Sequence, residues 1–201
     1  AELCRREGAL LIFDEVITGF RLALGGAQEF FGVKPDLACF GKALANGYPL
    51  SALVGRRDVM EMLDEVFFSF TFGGEAASLA AAFATIGEMQ RRNVIAFLWE
   101  QGRKLQDGFN VIAREYGMSG LASCDGYPPR TVVRFPSGDG SDDLALKSLF
   151  QQECLKRGIL FTGIHNVSFS HTDDDINYTL RVYRTVMETA AEAVRTGMVL
   201  S

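Results

Sequence analysis

The sequence predicts an α/β fold with a mainly parallel sheet, followed by a small α+β domain. Two short apolar runs carry the first part of this prediction, at residues 9–13 and 37–40. Continuous apolar runs of this length, bounded by polar and turn residues, are typical of strands buried in a parallel sheet. We therefore expect two domains, the larger one first.

The second part of the prediction comes from a change of pattern after Met118. Short β-like runs at residues 121–124 and 131–135 are separated by turn-forming residues, and helical patterns follow them. Strands followed by helices favour an α+β arrangement. We expect a further strand at residues 159–161.

In chain order, residues 1–8 resemble the last turns of a helix closed by Gly8, which leads into the strand at residues 9–13. After the strand at 37–40, Gly41 permits a turn and Lys42 follows in a tight loop. Residues 51–55 form a second apolar run. We therefore expect Lys42 to lie between two buried segments.

The remaining elements are mostly helical. The periodicity predicts a short helix in residues 56–63, an extended aromatic run over 67–72, and long helices in 75–92 and 94–116. Two more helices are predicted, one ending near Arg157 and one that Thr172 begins and that ends near Arg195. We expect His165 to be a polar loop residue.

Composition excludes several classes of protein. Of the 201 residues, 48% are hydrophobic and 22% charged, which is typical of a packed globular protein. A net charge of −5 provides no basic surface for nucleic acid. No apolar run approaches the roughly 20 residues that span a bilayer. The 4 cysteines lack metal-ligand spacing, which favours reduced thiols in a cytoplasmic protein without a metal site.

Two side chains that can take part in catalysis lie at the ends of the two predicted parallel strands. The first strand leads into Asp14, and Lys42 follows the second. In open α/β sheets ligands bind outside the carboxyl ends of the strands. A lysine that forms a Schiff base and an acid that pairs with the pyridinium nitrogen are the groups that pyridoxal 5′-phosphate (PLP) needs. A purely structural interpretation explains the two residues equally well: Asp14 would cap a helix, and Lys42 would neutralise its charge.

Four sequence motifs favour the PLP interpretation over the structural one. They are LIFDEVITGFR at residues 11–21, GVKPDL at 32–37, FGKA at 40–43 and GYPLSA at 47–52. In this order and spacing they strongly resemble the class III aminotransferases of the fold type I PLP-dependent enzymes, and among these the branch containing glutamate-1-semialdehyde aminomutase. The resemblance is densest over residues 9–90.

The resemblance implies a role for four residues. Lys42 matches the Schiff-base lysine, and Asp14 matches the acid that pairs with the pyridine nitrogen. Val16 matches the apolar residue packed on the ring, and Thr71 matches the threonine that reaches the coenzyme phosphate of the neighbouring subunit. The family therefore implies PLP as cofactor and a homodimer with a shared active site. In the family the second long helix leads from the large domain into the small one, which implies a boundary near residue 105, with residues 1–105 as part of the PLP-binding domain and 106–201 as a small α+β domain.

Because the chain starts with the end of a helix and without an initiator methionine, we expect it to be a carboxyl-terminal fragment. Relative to the family, such a fragment lacks the segment that cradles the phosphate. The preferred function is a transaminase that moves an amino group from a donor to a carbonyl acceptor, because SFTFGGE at residues 69–75 departs from the GTLSGN wording of aminomutases. Intramolecular amino transfer by an aminomutase is the first alternative. A non-catalytic oligomerisation or regulatory module of the same fold is the second.

Overall fold

The computed structural model describes residues 1–137 and 142–198. The chain forms two compact units, of which the first comprises Ala1–Ile95 and the second begins at Ala96. The division between the units falls within one long helix, and the boundary predicted near residue 105 lies in the same helix. The assignment of residues 1–105 and 106–201 to two domains stays a prediction. Among the described residues, no helix is both long and apolar enough to cross a bilayer.

The first unit is built on a three-stranded sheet of order β1-β2-β3. Strand β2 pairs in parallel with β1 and antiparallel with β3. In chain order the elements are α1 (Glu2–Arg6), β1 (Ile12–Glu15), α2 (Gly26–Phe31), β2 (Leu37–Phe40), a 3₁₀ turn (Lys42–Ala45), β3 (Ala52–Gly55), α3 (Arg57–Met60), a second 3₁₀ turn (Glu61–Asp64) and α4 (Ala76–Arg91).

Local chemistry explains where the helices of this unit begin and end. Gly32 follows α2 with a φ of +63°, the left-handed conformation that glycine adopts without steric cost at a helix end. The Glu75 carboxylate accepts hydrogen bonds from the amides of Ala77 and Ser78 and so caps α4. These features confirm the predicted helix at residues 75–92 to within one residue at each end.

The structure corrects the predictions for β1 and for the aromatic run. Strand β1 begins at Ile12 rather than Ala9, and it is not buried on both faces, because Ile12 is 54% exposed. The cause is its place at the edge of a small sheet, where few other elements cover it. The aromatic run, predicted to be extended over 67–72, has no regular structure at 67–70, and it ends in a turn at 71–74.

Few apolar side chains are buried in the first unit. One cluster centres on Leu44, Ala45 and Ala82, against which Phe20 and Phe40 pack partly buried. This cluster joins the 3₁₀ turn that begins at Lys42 to α4 and to the end of β2. It therefore supports the backbone that carries Lys42.

The second unit contains a three-stranded antiparallel sheet of order β4-β5-β6. Its elements are α5 (Val94–Glu115), β4 (Ser123–Tyr127), β5 (Arg130–Arg134), α6 (Leu144–Lys156), β6 (Ile164–Asn166) and α7 (Asp173–Thr196). The predicted strand at 159–161 is wrong, since the third strand begins at Ile164. The α+β composition is as predicted.

A single large core fills the second unit. The core joins side chains of α5, β4, β5, α6 and α7. Phe150 is fully buried at its centre, with its ring centroid 5.3 Å from that of Phe135 and 5.2 Å from that of Phe161. Thr172 and Asp175 form a reciprocal capping box at the start of α7, as the sequence predicted for the helix start.

Candidate active site at the carboxyl edge of the parallel strands

The parallel register brings the two predicted catalytic positions to one edge of the sheet. Asp14 pairs with Cys39, and Glu15 pairs with Phe40, the last residue of β2. Gly41 and Lys42 follow immediately. Because β1 and β2 run in the same direction, the side chains of Asp14 and Lys42 are both delivered to the carboxyl edge, where open α/β sheets bind ligands.

The Asp14 carboxylate is exposed, and its Oδ1 accepts a hydrogen bond of 3.0 Å from the backbone N–H of Val16. Successive side chains of a strand point to opposite faces. Asp14 therefore lies on the exposed face, whereas the neighbouring Glu15 is completely buried on the other. The hydrogen bond with Val16 restricts the orientation of the Asp14 carboxylate.

Lys42 has an unusual backbone conformation, with a φ of +27°. The sequence predicted that Gly41 makes the turn, yet Gly41 is extended at a φ of −164° and Lys42 itself takes the left-handed conformation. Such a conformation costs a non-glycine residue on the order of 1–3 kcal/mol and is concentrated at functional sites. Lys42 is the first residue of the 3₁₀ turn Lys42–Ala45, and the buried side chains of Leu44 and Ala45 anchor this turn.

The expectation that Lys42 is enclosed between buried segments is wrong for this chain. Its side chain is exposed, because the run at 51–55 forms β3 with mostly exposed residues rather than a buried strand. The Lys42 amine is consequently accessible from solvent at the edge of the sheet.

Val16 lies beside the glycine that precedes Lys42. A Cβ atom placed on Gly41 would be 3.4 Å from Val16 Cγ1, so the two residues are in direct contact across the ends of β1 and β2. Val16 is half-buried. The structure thus groups an acid, an apolar side chain and an amine at one edge.

Thr71 is placed differently from the other three predicted residues. It begins the exposed turn at 71–74, which precedes the Glu75 cap of α4. The structure brings Asp14, Val16 and Lys42 to one sheet edge and leaves Thr71 on this turn, surrounded in sequence by exposed phenylalanines.

Glu15 is a residue of the site region that sequence reasoning missed. Its carboxylate accepts hydrogen bonds from the backbone N–H groups of Ala27 (2.7 Å) and Gln28 (2.8 Å) at the start of α2. The sequence carried a signal, because strand alternation places Asp14 and Glu15 on opposite faces, and an acid on the covered face requires donors.

The opposite edge of the sheet is fixed by Asp36. The Asp36 carboxylate accepts hydrogen bonds of 2.8 Å from the Leu11 backbone N–H and from the Arg56 guanidinium. The Leu11 amide, and after it Arg56, hold the pKa of Asp36 below its ordinary value. Asp36 thus joins the beginnings of β1 and β2 to the end of β3, and it explains why the GVKPDL motif matters to the sheet.

Other chemistry has little support among the described residues. No group of three or more His, Cys, Asp or Glu side chains there has the geometry of a metal site. All 4 cysteines are free. Burial raises the pKa of the Cys124 thiol to about 11 and that of Cys154 to about 12, so both are protonated, unreactive core residues at neutral pH.

Comparison with known proteins identifies related chains. The chain is 40% identical over 192 residues to a glutamate-1-semialdehyde 2,1-aminomutase from Syntrophobacter fumaroxidans, covering 89% of this chain and 44% of that protein. It is 34% identical over 186 residues to a 3-aminobutyryl-CoA aminotransferase from Cloacimonas acidaminovorans, covering 91% and 44%. The chain therefore spans a little under half the length of these curated relatives.

A solved structure agrees with these relatives. The FumI protein of Sphingopyxis sp. MTA144, in its PLP internal aldimine form, superposes with a TM-score of 0.87 at 28% identity, covering 96% of this chain and 46% of FumI. A second solved structure, a transaminase with PLP bound, superposes with a TM-score of 0.84 at 22% identity, covering 96% of this chain and 47% of that chain. These matches confirm the predicted α/β fold as a portion of a PLP-dependent transaminase fold. The sequence profile described as aminotransferase class-III matches residues 1–124, which include β1, β2 and the Lys42 turn. The chain belongs to the class-III aminotransferase family.

Proposed function

We propose that this chain contributes Lys42 and Asp14 to the active site of a PLP-dependent aminotransferase. The observation that carries the proposal is the left-handed backbone of Lys42 at the same sheet edge as Asp14. A surface lysine that neutralises an acid does not require a strained backbone. Strain of this kind is maintained where the direction of a side chain matters.

The residues at the edge fit PLP by their chemistry. The exposed Lys42 amine is free to bond covalently with the coenzyme aldehyde, and the Asp14 carboxylate is an acceptor for the protonated pyridine nitrogen. Val16, half-buried between them, provides an apolar surface for the ring. Family membership and a neighbour solved in its PLP form support this assignment.

The coenzyme supplies an electron sink that stabilises negative charge on the substrate carbon. The chain's own residues provide proton transfer and orientation. With the coenzyme bound, the Lys42 amine would hold it covalently and, when released, would act as general base and acid for the proton at the substrate carbon. The Asp14 carboxylate would keep the ring nitrogen protonated, and the Val16 amide, which donates to Asp14 Oδ1, holds that carboxylate in place.

We further propose that the active protein is a cytoplasmic homodimer and that Thr71 contacts the coenzyme phosphate of the partner subunit. The aromatic segment, which we define as residues 67–72, has four exposed phenylalanines, and Phe67 is 98% exposed. Large exposed apolar patches mark interaction surfaces. A second copy on this surface would bury the rings and place Thr71 at a shared site.

Two other functions remain alternatives. Intramolecular amino transfer by an aminomutase uses the same Lys42 and Asp14, and several relatives carry that name. It needs no separate acceptor, so dependence of turnover on an added keto acid favours the transaminase. A non-catalytic module of the same fold would take up no PLP even as the full-length protein.

The proposal is tested by turnover of the full-length protein with PLP, an amino donor and a keto acid. We expect Lys42→Ala to abolish turnover and Asp14→Asn to lower it by orders of magnitude, with Lys34→Ala, an exposed lysine near β2, as the matched control. Unchanged turnover in Lys42→Ala would refute the assignment of the lysine. Unchanged turnover in Asp14→Asn would refute the role of the acid.

A further inference from the structure

Glu15 has an environment that is unusual for an acidic side chain. It is completely buried, and both of its carboxylate oxygens accept hydrogen bonds. Oε2 accepts from the Thr18 hydroxyl and from the Ala27 amide, and Oε1 accepts from the Gln28 amide. A buried carboxylate is tolerated only when such donors compensate for lost hydration.

The backbone around the carboxylate is shaped to admit it. Gly26 has a φ of +79°, and a Cβ atom at that position would lie 2.5 Å from Glu15 Oε2. Any larger residue at position 26 would therefore collide with the carboxylate and also adopt a strained backbone. The start of α2 is thus adapted in both conformation and volume to Glu15.

Glu15 also accepts two hydrogen bonds from the turn at residues 16–20, one at its carboxylate and one at its carbonyl oxygen. Thr18 donates to the Glu15 carboxylate, and the Gly19 amide donates to the Glu15 carbonyl oxygen over 2.8 Å. The turn then packs on Phe40, because a Cβ atom on Gly19 would lie 2.5 Å from the Phe40 ring. Val16, whose amide orients Asp14, is the first residue of this turn.

We propose that Glu15 is a positioning residue of the coenzyme site, acting through the turn at residues 16–20. Strand alternation places Glu15 on the face opposite to Asp14, where it is buried, so in this proposal it does not touch the coenzyme. It fixes the turn that sets the Val16 amide against the Asp14 carboxylate and the Val16 side chain against Gly41. This inference rests on the proposed function and deepens it.

The test uses full-length protein and compares Glu15→Gln with Glu29→Gln. Glutamine has nearly the volume of glutamate, but one of its two terminal groups cannot accept the amide hydrogens of α2. Glu29 is exposed and caps the Gly25 amide in the same loop, so it is the matched control. The readouts are the dissociation constant for PLP and the pH midpoint of the bound coenzyme's absorbance, which reports the orientation of Asp14.

For Glu15→Gln we expect at least a tenfold rise in the dissociation constant and a shift of the pH midpoint by about 0.5 or more. We expect Glu29→Gln to change neither. An unchanged pH midpoint would overturn the proposal, even with weaker PLP binding, because it would leave Glu15 a purely structural role. If the wild-type protein takes up no PLP, the proposed function itself fails.

A second variant keeps the proposal testable if Glu15→Gln does not fold. Thr18→Val removes one donor to Glu15 without changing side-chain shape, and we expect a smaller pH shift in the same direction. Hydrogen exchange at the Ala27 and Gln28 amides should accelerate in this variant. Unchanged midpoint and exchange rates would overturn the proposal.

Discussion

The two units of this chain differ in how they bury apolar side chains. The second unit has one continuous core in which Phe109, Phe135 and Phe150 are fully buried. The first unit has a small cluster around Leu44, and its aromatic side chains are mostly on the surface. The exposed phenylalanines of that unit are Phe30, Phe31, Phe67, Phe68, Phe70, Phe72 and Phe83.

This difference separates stability from chemistry. The unit that carries Asp14 and Lys42 has the weaker core, although strained conformations such as that of Lys42 need firm support. The chain spans a little under half the length of its curated relatives. The contrast therefore lies between the unit that carries the candidate site residues and the unit that holds most of the buried apolar side chains.

The largest expected effect comes from removing a buried aromatic ring of the second unit. Removal of an exposed ring of the first unit is the comparison. Phe150→Ala deletes a ring that packs against four other rings, and it should lower the free energy of unfolding by about 3–5 kcal/mol. Phe67→Ala, at 98% exposure, should change it by no more than about 0.5 kcal/mol. Urea unfolding followed by circular dichroism measures both. Equal losses would contradict the contrast between the units.

A pH effect confined to the second unit should come next in size. His165 is buried, hydrogen-bonded to Thr131 Oγ1 (2.9 Å) and to the Tyr183 hydroxyl (2.8 Å). Cys124 and Tyr183 beside it are neutral, since burial raises the pKa of both. Burial lowers the pKa of His165 from 6.5 to about 4.

Because the unfolded chain binds this proton near pH 6.5 and the folded chain only near pH 4, stability falls as the pH drops through that window. The loss approaches about 3 kcal/mol at pH 4 and below. His165→Gln should remove this part of the pH dependence, and His171→Gln, at an exposed position, should preserve it. Urea unfolding from pH 7.5 to pH 4 is the measurement. An identical pH profile in His165→Gln would show that the buried imidazole is not responsible.

Two helical glycines should respond to alanine with opposite signs. A Cβ on Gly102 of α5 would lie 1.9 Å from the Pro128 carbonyl oxygen, so Gly102→Ala should cost about 1–3 kcal/mol through overpacking. A Cβ on Gly87 of α4 meets nothing within 4 Å, so Gly87→Ala should stabilise its helix by roughly 0.5–1 kcal/mol. Thermal and urea unfolding of the two variants are compared. Destabilisation by Gly87→Ala would show that α4 is more closely packed than described.

The sequence predicted most of the fold because local signals agreed with tertiary structure. The parallel pair β1-β2, the long helices and the Thr172 cap follow from periodicity and capping chemistry. The strand at 159–161 was wrong because an apolar run does not by itself distinguish a strand from an extended loop that supplies Phe161 to the core. The burial of β1 was overestimated because a sequence does not show which strand lies at the edge.

The site was predictable in part. The strand pattern placed Asp14 and Lys42 at one edge and the family resemblance identified Val16 and Thr71, while the roles of all four stay predictions. The left-handed turn at Lys42 was not predictable, because glycine at position 41 is the residue expected to adopt it. The burial of Glu15 and His165 depends on donors distant in sequence, such as Gln28 and Tyr183, which only the folded chain brings together.

The most direct test of the central claim is to trap PLP on the full-length protein with borohydride and to map the modified lysine by mass spectrometry. We predict that the label lies on Lys42 and is absent from Lys34, which is also exposed, because Lys42, unlike Lys34, follows β2 at the carboxyl edge to which β1 delivers Asp14. Lys42→Ala should lose the label. Labelling spread evenly over the lysines, or equal labelling in Lys42→Ala, would contradict the account.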